Sequence, residues 1–183
     1  TPYAKTKFIT EQLINDYKVY GLKSTILRLF NVAGAHGFND LDIGKNVITV
    51  LLNLIKDNRL FTLMGNDYPT PDGTCVKDFI HVDDVTEAIG KSVAKLLEPD
   101  TASQTYNLGT GKGTSLGELI RKSIDITGKE LKLRIGAALE DEVPSLIANN
   151  TKIKKDLGWA PQKNIDEIIT SCWKWILQNG GKR

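Results

Sequence analysis

The sequence predicts an α/β protein, and three features carry that prediction. Short runs rich in branched and aromatic residues, such as STILRLF at 24–30 and RLFTLMG at 59–65, alternate with longer segments whose apolar residues recur at helical spacing. STILRLF lacks clean polar–apolar alternation, the mark of a strand buried on both faces of a parallel sheet. Glycine, proline and aspartate separate the segments, and there is no internal repeat or low-complexity tract.

At the start of the chain, TPYAKTKFITEQLINDY reads as a helix. Thr1 can cap it, Pro2 suits its first turn, Phe8, Ile9, Leu13 and Ile14 form an apolar stripe, and it ends near Gly21. Beyond STILRLF, a second helix is expected from about Asn46 to Lys56. RLFTLMG reads as a strand, NDYPTPDG at 66–73 as a loop with turn chemistry at every step, and CVKDFIHV at 75–82 as a return to strand. Asp83 or Asp84 is placed to cap the helix in VTEAIGKSVAKLL, and TYNLGTG is a strand leading into a helix opened by Ser115 and Glu118 as a capping box. KLRIG at 132–136 is a further strand candidate, and NTKIKKDLGW is a short helix ended by Gly158. After Pro161, IDEIITSCWKWIL forms the last helix and stops before Gly180 and Gly181. Trp173 and Trp175 point to different sides of that helix, so at least one is expected at the surface or against a partner.

The 183 residues suffice for one hydrophobic core, or one modest domain plus part of another. With 24 basic against 22 acidic residues mixed along the chain, the net charge of +2 offers no concentrated field for nucleic acid or anionic lipid. The longest apolar stretch, VITVLLNLI, is interrupted by Asn53 and falls short of the roughly 20 residues a bilayer span needs, so no membrane segment is expected. Cys75 and Cys172 form no CxxC pair, and with only His36 and His81 beside them the four-ligand spacing of structural zinc cannot be assembled. Reduced, inert thiols and the lack of a charged-then-apolar leader fit a cytoplasmic protein, and the start at Thr1 is expected to be a cut inside a longer one.

The chemistry-bearing candidates begin at the first helix. Tyr3 and Lys7 are one helical turn apart, which puts a phenol and an ammonium on one face, and a neighbouring cation favours a phenolate over a tyrosine's ordinary pKa of about 10. Such a pair can take a hydroxyl proton during alcohol oxidation, although the same spacing also occurs as a plain surface contact. Asn31 follows a predicted parallel strand, where open α/β sheets place ligands, and it reads equally as a turn residue. His81 is expected to be structural, beside its strand. GTGKGT at 109–114 lacks the spacing of a phosphate loop, because Gly113 stands where a hydroxyl is required, and it is no GxGxxG fingerprint; a tight strand-to-helix turn is expected.

Longer segments add a resemblance. YxxxK just before an apolar strand, followed by RLFNVAGAH at 28–36, resembles the extended short-chain dehydrogenase/reductases. GNDYPTPDGTCVKDFIHVDD at 65–84 is similar to the UDP-glucose 4-epimerase branch almost residue for residue, and YNLGTGKGTS and DLGWAPQ extend the similarity to nearly the whole chain.

The resemblance implies the C-terminal portion of an NAD(P)-binding Rossmann-like fold with a small mixed α/β substrate-binding domain. Residues 1–35 would end the Rossmann-like domain, and 36–183 would be mainly substrate-binding, with 75–98 returning to the Rossmann sheet. It also implies NAD as cofactor and reversible C4 oxidation–reduction of a UDP-hexose. Tyr3 would exchange the proton, Lys7 would bind the nicotinamide ribose, and Phe30 would contact the cofactor. Asn31, Asn46, Val47, Lys77 and Glu142 would bind the nucleotide sugar, with the main chain of Thr62 to Met64 gripping uracil. The intact protein would be a cytoplasmic homodimer.

Two positions depart from that pattern. Lys77 stands where these epimerases carry an arginine against the diphosphate, and Leu139 stands near the place of a second arginine. The dinucleotide fingerprint and the serine or threonine that assists the tyrosine are expected before Thr1, so the 183 residues alone are expected to be inactive. The alternatives are an extended reductase acting on another nucleotide sugar, such as a UDP-glucuronate or N-acetylhexosamine epimerase, a decarboxylase or a dehydratase, and a non-catalytic nucleotide-sugar-binding module.

Overall fold

The computed structural model describes residues 1–37 and 46–179. In chain order the elements are α1 (Pro2–Asp16), β1 (Thr25–Leu29), β2 (Asn31–Ala33), α2 (Val47–Lys56), β3 (Leu60–Met64), β4 (Val76–Lys77), β5 (Phe79–His81) and α3 (Val82–Leu96). There follow β6 (Gln104–Leu108), β7 (Thr114–Ser115), α4 (Leu116–Thr127), β8 (Lys132–Gly136), β9 (Ser145–Leu146), α5 (Thr151–Leu157) and α6 (Ile165–Asn179). β1 pairs with β6, β2 with β5 and β3 with β8, all in parallel, while β4 lies between antiparallel β7 and parallel β9. The strand–helix alternation in the sequence thus becomes the expected mixed α/β architecture. Among the described residues no helix is long and apolar enough to cross a membrane.

Local rules place most boundaries. Thr1 Oγ1 accepts from the Ala4 N–H at 3.3 Å to start α1, and after a 3₁₀ turn at Tyr17–Tyr20 the segment closes on left-handed Gly21. Asn46 Oδ1 accepts from the Ile48 N–H at 2.8 Å and caps α2. Ser115 accepts from the Glu118 N–H at 3.0 Å and caps α4, and left-handed Gly158 ends α5.

Three expectations are corrected. β1 is not buried on both faces, because Arg28 and Leu29 are exposed, and among the described residues it also pairs along one edge only. Neither Asp83 nor Asp84 caps α3; both lie in its first turn, and the cap is His81, whose Nδ1 accepts from the Asp83 N–H at 3.0 Å. Trp173 and Trp175 are both buried, because α6 is flanked by α2, α4 and β5, and Lys129 lies over the Trp173 ring. The expected stop at Gly180 and Gly181 lies outside the described residues.

Two apolar cores result. The larger joins Ile48, Leu51, Leu52 and Ile55 of α2 with Phe61 and Leu63 of β3, Leu119 and Ile120 of α4, and the inner face of α6. The smaller joins Val85 and Ala88 of α3 with Tyr106 and Leu108 of β6, Ile153 of α5 and Trp159. β5 stands between them: successive strand residues face opposite sides, so Phe79 enters the larger core and Ile80 the smaller.

CVKDFIHV forms two strands rather than one, broken at Asp78. This residue is fully buried, and each carboxylate oxygen is occupied. Oδ1 accepts from the Thr110 N–H at 2.8 Å and the Thr110 hydroxyl at 2.6 Å; Oδ2 accepts from the N–H groups of Gly111 at 2.9 Å and Ala148 at 3.1 Å. The GTGKGT turn therefore does cradle an anion, but the anion is the protein's own carboxylate. The Asp78 carbonyl in turn accepts from the Asn31 N–H at 3.0 Å and the Asn31 side-chain amide at 3.1 Å.

His81 is structural, as expected. Because Nδ1 accepts a backbone N–H, the proton sits on Nε2, which donates to Ser171 Oγ at 3.1 Å. That hydroxyl also receives the Ala35 N–H at 3.1 Å and donates to the Ile168 carbonyl at 2.9 Å, joining the end of β2 to α6. Gly34 has a φ of +86°, and a Cβ there would run into the His81 ring.

Two stability predictions follow from these buried polar groups. Asp78→Ala leaves several buried N–H groups unpaired and is expected to cost about 3 kcal/mol in denaturant unfolding. Asp78→Asn should also destabilise, because it sets an amide donor against backbone donors. Burial lowers the His81 pKa below its usual value, with Lys163 acting in the same sense and Asp83, Asp84 and Glu167 partly offsetting it. The unfolded chain therefore binds the proton first as pH falls, so the His81 contribution is complete above about 6.5 and is lost progressively below it. Thermal unfolding from pH 7.5 to pH 5 should show the gap between the parent and His81→Gln narrowing.

Candidate functional site

α1 and β1 enclose a cleft of about 350 Å³ whose walls include Tyr3, Lys7 and Leu29. One helical turn separates Tyr3 from Lys7, and the Lys7 ammonium stands 5.4 Å from the centre of the Tyr3 ring. Tyr3 is 72% exposed, so its hydroxyl is open to an incoming ligand. Across the cleft, Arg28 donates to Glu11 through Nε at 2.8 Å and a terminal nitrogen at 2.6 Å. This two-pronged bond ties β1 to α1, and the Arg28 hydrogen bond holds the Glu11 carboxyl below its ordinary pKa.

A second cavity, about 560 Å³, lies where β2, α2, the β4–β5 segment and α4 meet. It is lined by Asn31, Val32, Asn46, Val47, Cys75, Lys77, Phe79, Leu116 and Glu142. Five residues singled out from the sequence, Asn31, Asn46, Val47, Lys77 and Glu142, are thus brought together although they are spread over more than a hundred positions. Asn46 is held in place by two bonds, the cap on α2 and a donation from its amide nitrogen to the Val32 carbonyl. Lys77 and Glu142 bond directly to each other as an ion pair, with side chains 18% and 24% exposed.

The remaining candidates lie elsewhere. Tyr3 and Lys7 are in the first cleft and not in the second cavity. Thr62 and Met64 stand on β3 outside both, with Thr62 Oγ1 accepting from Arg134 at 3.2 Å. Phe30 sits at the junction of β1 and β2, where its N–H donates to the Leu108 carbonyl at 3.1 Å. The two spaces are nevertheless adjacent along the chain. Leu29 lines the cleft and Asn31 the cavity, a separation of about 7 Å for two extended residues.

The sequence reading missed Val32, Cys75, Phe79 and Leu116 as walls, and Asp78 as the buried anchor between Lys77 and Phe79. A signal was present: Cys75, Lys77 and Phe79 are two apart, the spacing that puts strand residues on one face, whereas Asp78 turns the other way into the GTGKGT loop.

The sequence model of the GDP-mannose 4,6 dehydratase family matches residues 1–172. The chain belongs to that family. Similar sequences are named as epimerases: a UDP-glucose 4-epimerase of Rhizobium leguminosarum bv. trifolii is 39% identical over 180 residues, covering 95% of this chain and 55% of the relative. Among solved structures, a UDP-glucose 4-epimerase of Stenotrophomonas maltophila with bound NAD and formylated UDP-arabinopyranose superposes with a TM-score of 0.92 at 31% identity, covering 100% of this chain and 56% of the other. The Brucella ovis UDP-glucose 4-epimerase in complex with NAD gives a TM-score of 0.89 at 32% identity, covering 94% and 55%. The chain therefore spans about half the length of the curated relatives it matches. The resemblance in the sequence is upheld at the level of family and fold.

In this family member both cysteines are free and buried, and burial raises both thiol pKa values, that of Cys172 to about 11. Cys75 forms a cavity wall, whereas Cys172 lies inside the larger core. An aromatic disulfide reagent at pH 8 is expected to label Cys75 first and slowly, with Cys172 protected until global unfolding. Labelling of Cys172 ahead of Cys75 would contradict this packing.

Proposed function

We propose that this chain is the C-terminal, substrate-holding part of an NAD-dependent UDP-glucose/UDP-galactose 4-epimerase. The observation that carries the reading is the convergence of Asn31, Asn46, Val47, Lys77 and Glu142 on one cavity, two residues beyond the cleft that holds Tyr3 and Lys7. Similarity to UDP-glucose 4-epimerases over 95% of the chain supports it. In this reading residues 1–35 close the dinucleotide-binding domain, and 36–183 are mainly substrate-binding, with 75–98 returning to the first sheet.

The first cleft fits a nicotinamide ribose: it offers an exposed phenol and an ammonium on one helical face, and its carboxylate, Glu11, is already tied to Arg28. NAD, when bound there, supplies the means to accept and return a hydride. As a phenolate, Tyr3 takes the proton of the sugar C4 hydroxyl, and as a phenol it gives the proton back after the sugar has turned. Lys7 donates to the ribose and sets a positive charge beside the phenol, while Phe30 packs near the ring. In the second cavity, Asn31 and Asn46 donate to sugar and phosphate oxygens, Lys77 meets the diphosphate, Glu142 meets the uridine ribose, and Val47 gives an apolar wall. The main chain of Thr62 to Met64 contacts the base.

The intact protein is read as a cytoplasmic homodimer, and the exposed Phe8, Ile9 and Leu13 of α1 support a contact surface there. A second reading, another nucleotide sugar as substrate, is favoured by Lys77 and Leu139 in place of two arginines. Profiling UDP-glucose, UDP-galactose, UDP-glucuronate and UDP-N-acetylhexosamines separates the two.

Tyr3→Phe in the intact protein is expected to lower kcat for UDP-galactose by at least about 100-fold in a coupled assay while leaving UDP binding intact. Undiminished turnover by this variant would remove Tyr3 from the chemistry. The 183 residues alone contain no glycine fingerprint for a pyrophosphate and are expected to turn over neither sugar in the same assay.

A further inference from the structure

Lys77 and Glu142 supply the charges that line the 560 Å³ cavity, and they are bonded to each other. Their formal charges cancel, so the cavity presents little net positive potential to an anion. Both side chains are largely withdrawn from water, which strengthens the attraction between them and equally strengthens the repulsion between the Glu142 carboxylate and any phosphate brought to Lys77. An ammonium concentrates its charge at one point, whereas a guanidinium offers separate edges to two anions at once. A lysine at position 77 therefore forces competition between carboxylate and phosphate for one cation.

The surrounding backbone allows that exchange. Pro144, two residues beyond Glu142, is fixed to β4 by the Val76 N–H at 2.8 Å, and the Glu142 N–H donates to the Leu139 carbonyl at 3.2 Å. With the main chain pinned on both sides, the carboxylate can leave Lys77 by rotating its own side chain.

We infer that Glu142 is an internal counter-ion for Lys77, bonded to it while the cavity holds no nucleotide and displaced by the diphosphate on binding. The displaced carboxylate is then free to accept from the uridine ribose. This inference rests on the reading of the cavity as a nucleotide-sugar site. The exchange lowers affinity, because the binding-competent arrangement is only a fraction of the free protein.

The test is calorimetric titration of UDP into the intact protein and its variants, each checked for thermal unfolding. Glu142→Gln removes the competing charge and is expected to bind UDP about fivefold more tightly, whereas Lys77→Ala should bind it about fivefold more weakly or worse. In a Lys77→Arg background, where a fork can hold both anions, the gain from Glu142→Gln should fall below about twofold. Glu142→Ala serves as the second variant should Glu142→Gln fold poorly. Unchanged or weaker UDP binding by both Glu142 variants, with Lys77→Ala still impaired, would overturn the counter-ion role and leave the nucleotide site standing. If UDP binds none of these proteins, or binds Lys77→Ala and Asn31→Ala as well as the parent, the nucleotide reading fails and the counter-ion role fails with it.

Discussion

The Asp78 carboxylate is the interaction on which the rest of this arrangement depends. A fully buried carboxylate is costly unless its lone pairs are filled, and here main-chain N–H groups from two distant loops and a hydroxyl fill them. Those bonds break the strand run at Asp78 and fix its two halves. As a result Cys75, Lys77 and Phe79 face one cavity, and through the Asp78 carbonyl Asn31 is held at its rim. One residue thus helps to place Lys77 and Asn31 in the polar wall without itself lining it.

The two spaces built on this frame differ in character. The cleft beside α1 is the smaller and offers an exposed phenol to whatever enters. The cavity beside α2 is larger, and its charges are already paired. A short extended link, Leu29 to Asn31, joins a wall of the one to a wall of the other.

Much of this was legible in the sequence. Caps at Thr1, Asn46 and Ser115 and the left-handed stops at Gly21 and Gly158 depend on local chemistry, which the chain carries in full. What depends on distant partners was not. Whether β1 is enclosed depends on the elements that pack on its faces, and the burial of both Trp173 and Trp175 depends on α6 having neighbours on two sides, which no helical periodicity reveals. His81 was read correctly as structural, but its capping of α3 was missed because aspartates are the commoner caps and two of them follow just beyond Val82. Likewise, local spacing argued against a phosphate loop at GTGKGT but could not show that a carboxylate thirty-odd positions upstream fills the turn.

The position of β5 between the two cores has a consequence for how the molecule can loosen. Phe79 and Ile80 are neighbours in the chain but anchor different apolar clusters, so neither cluster can come apart without disturbing a strand that the other needs. The cavity wall rests on that same strand. Amide protons there would exchange only through whole-molecule opening, and the region around the cavity would be among the last to fray rather than a separately melting lobe.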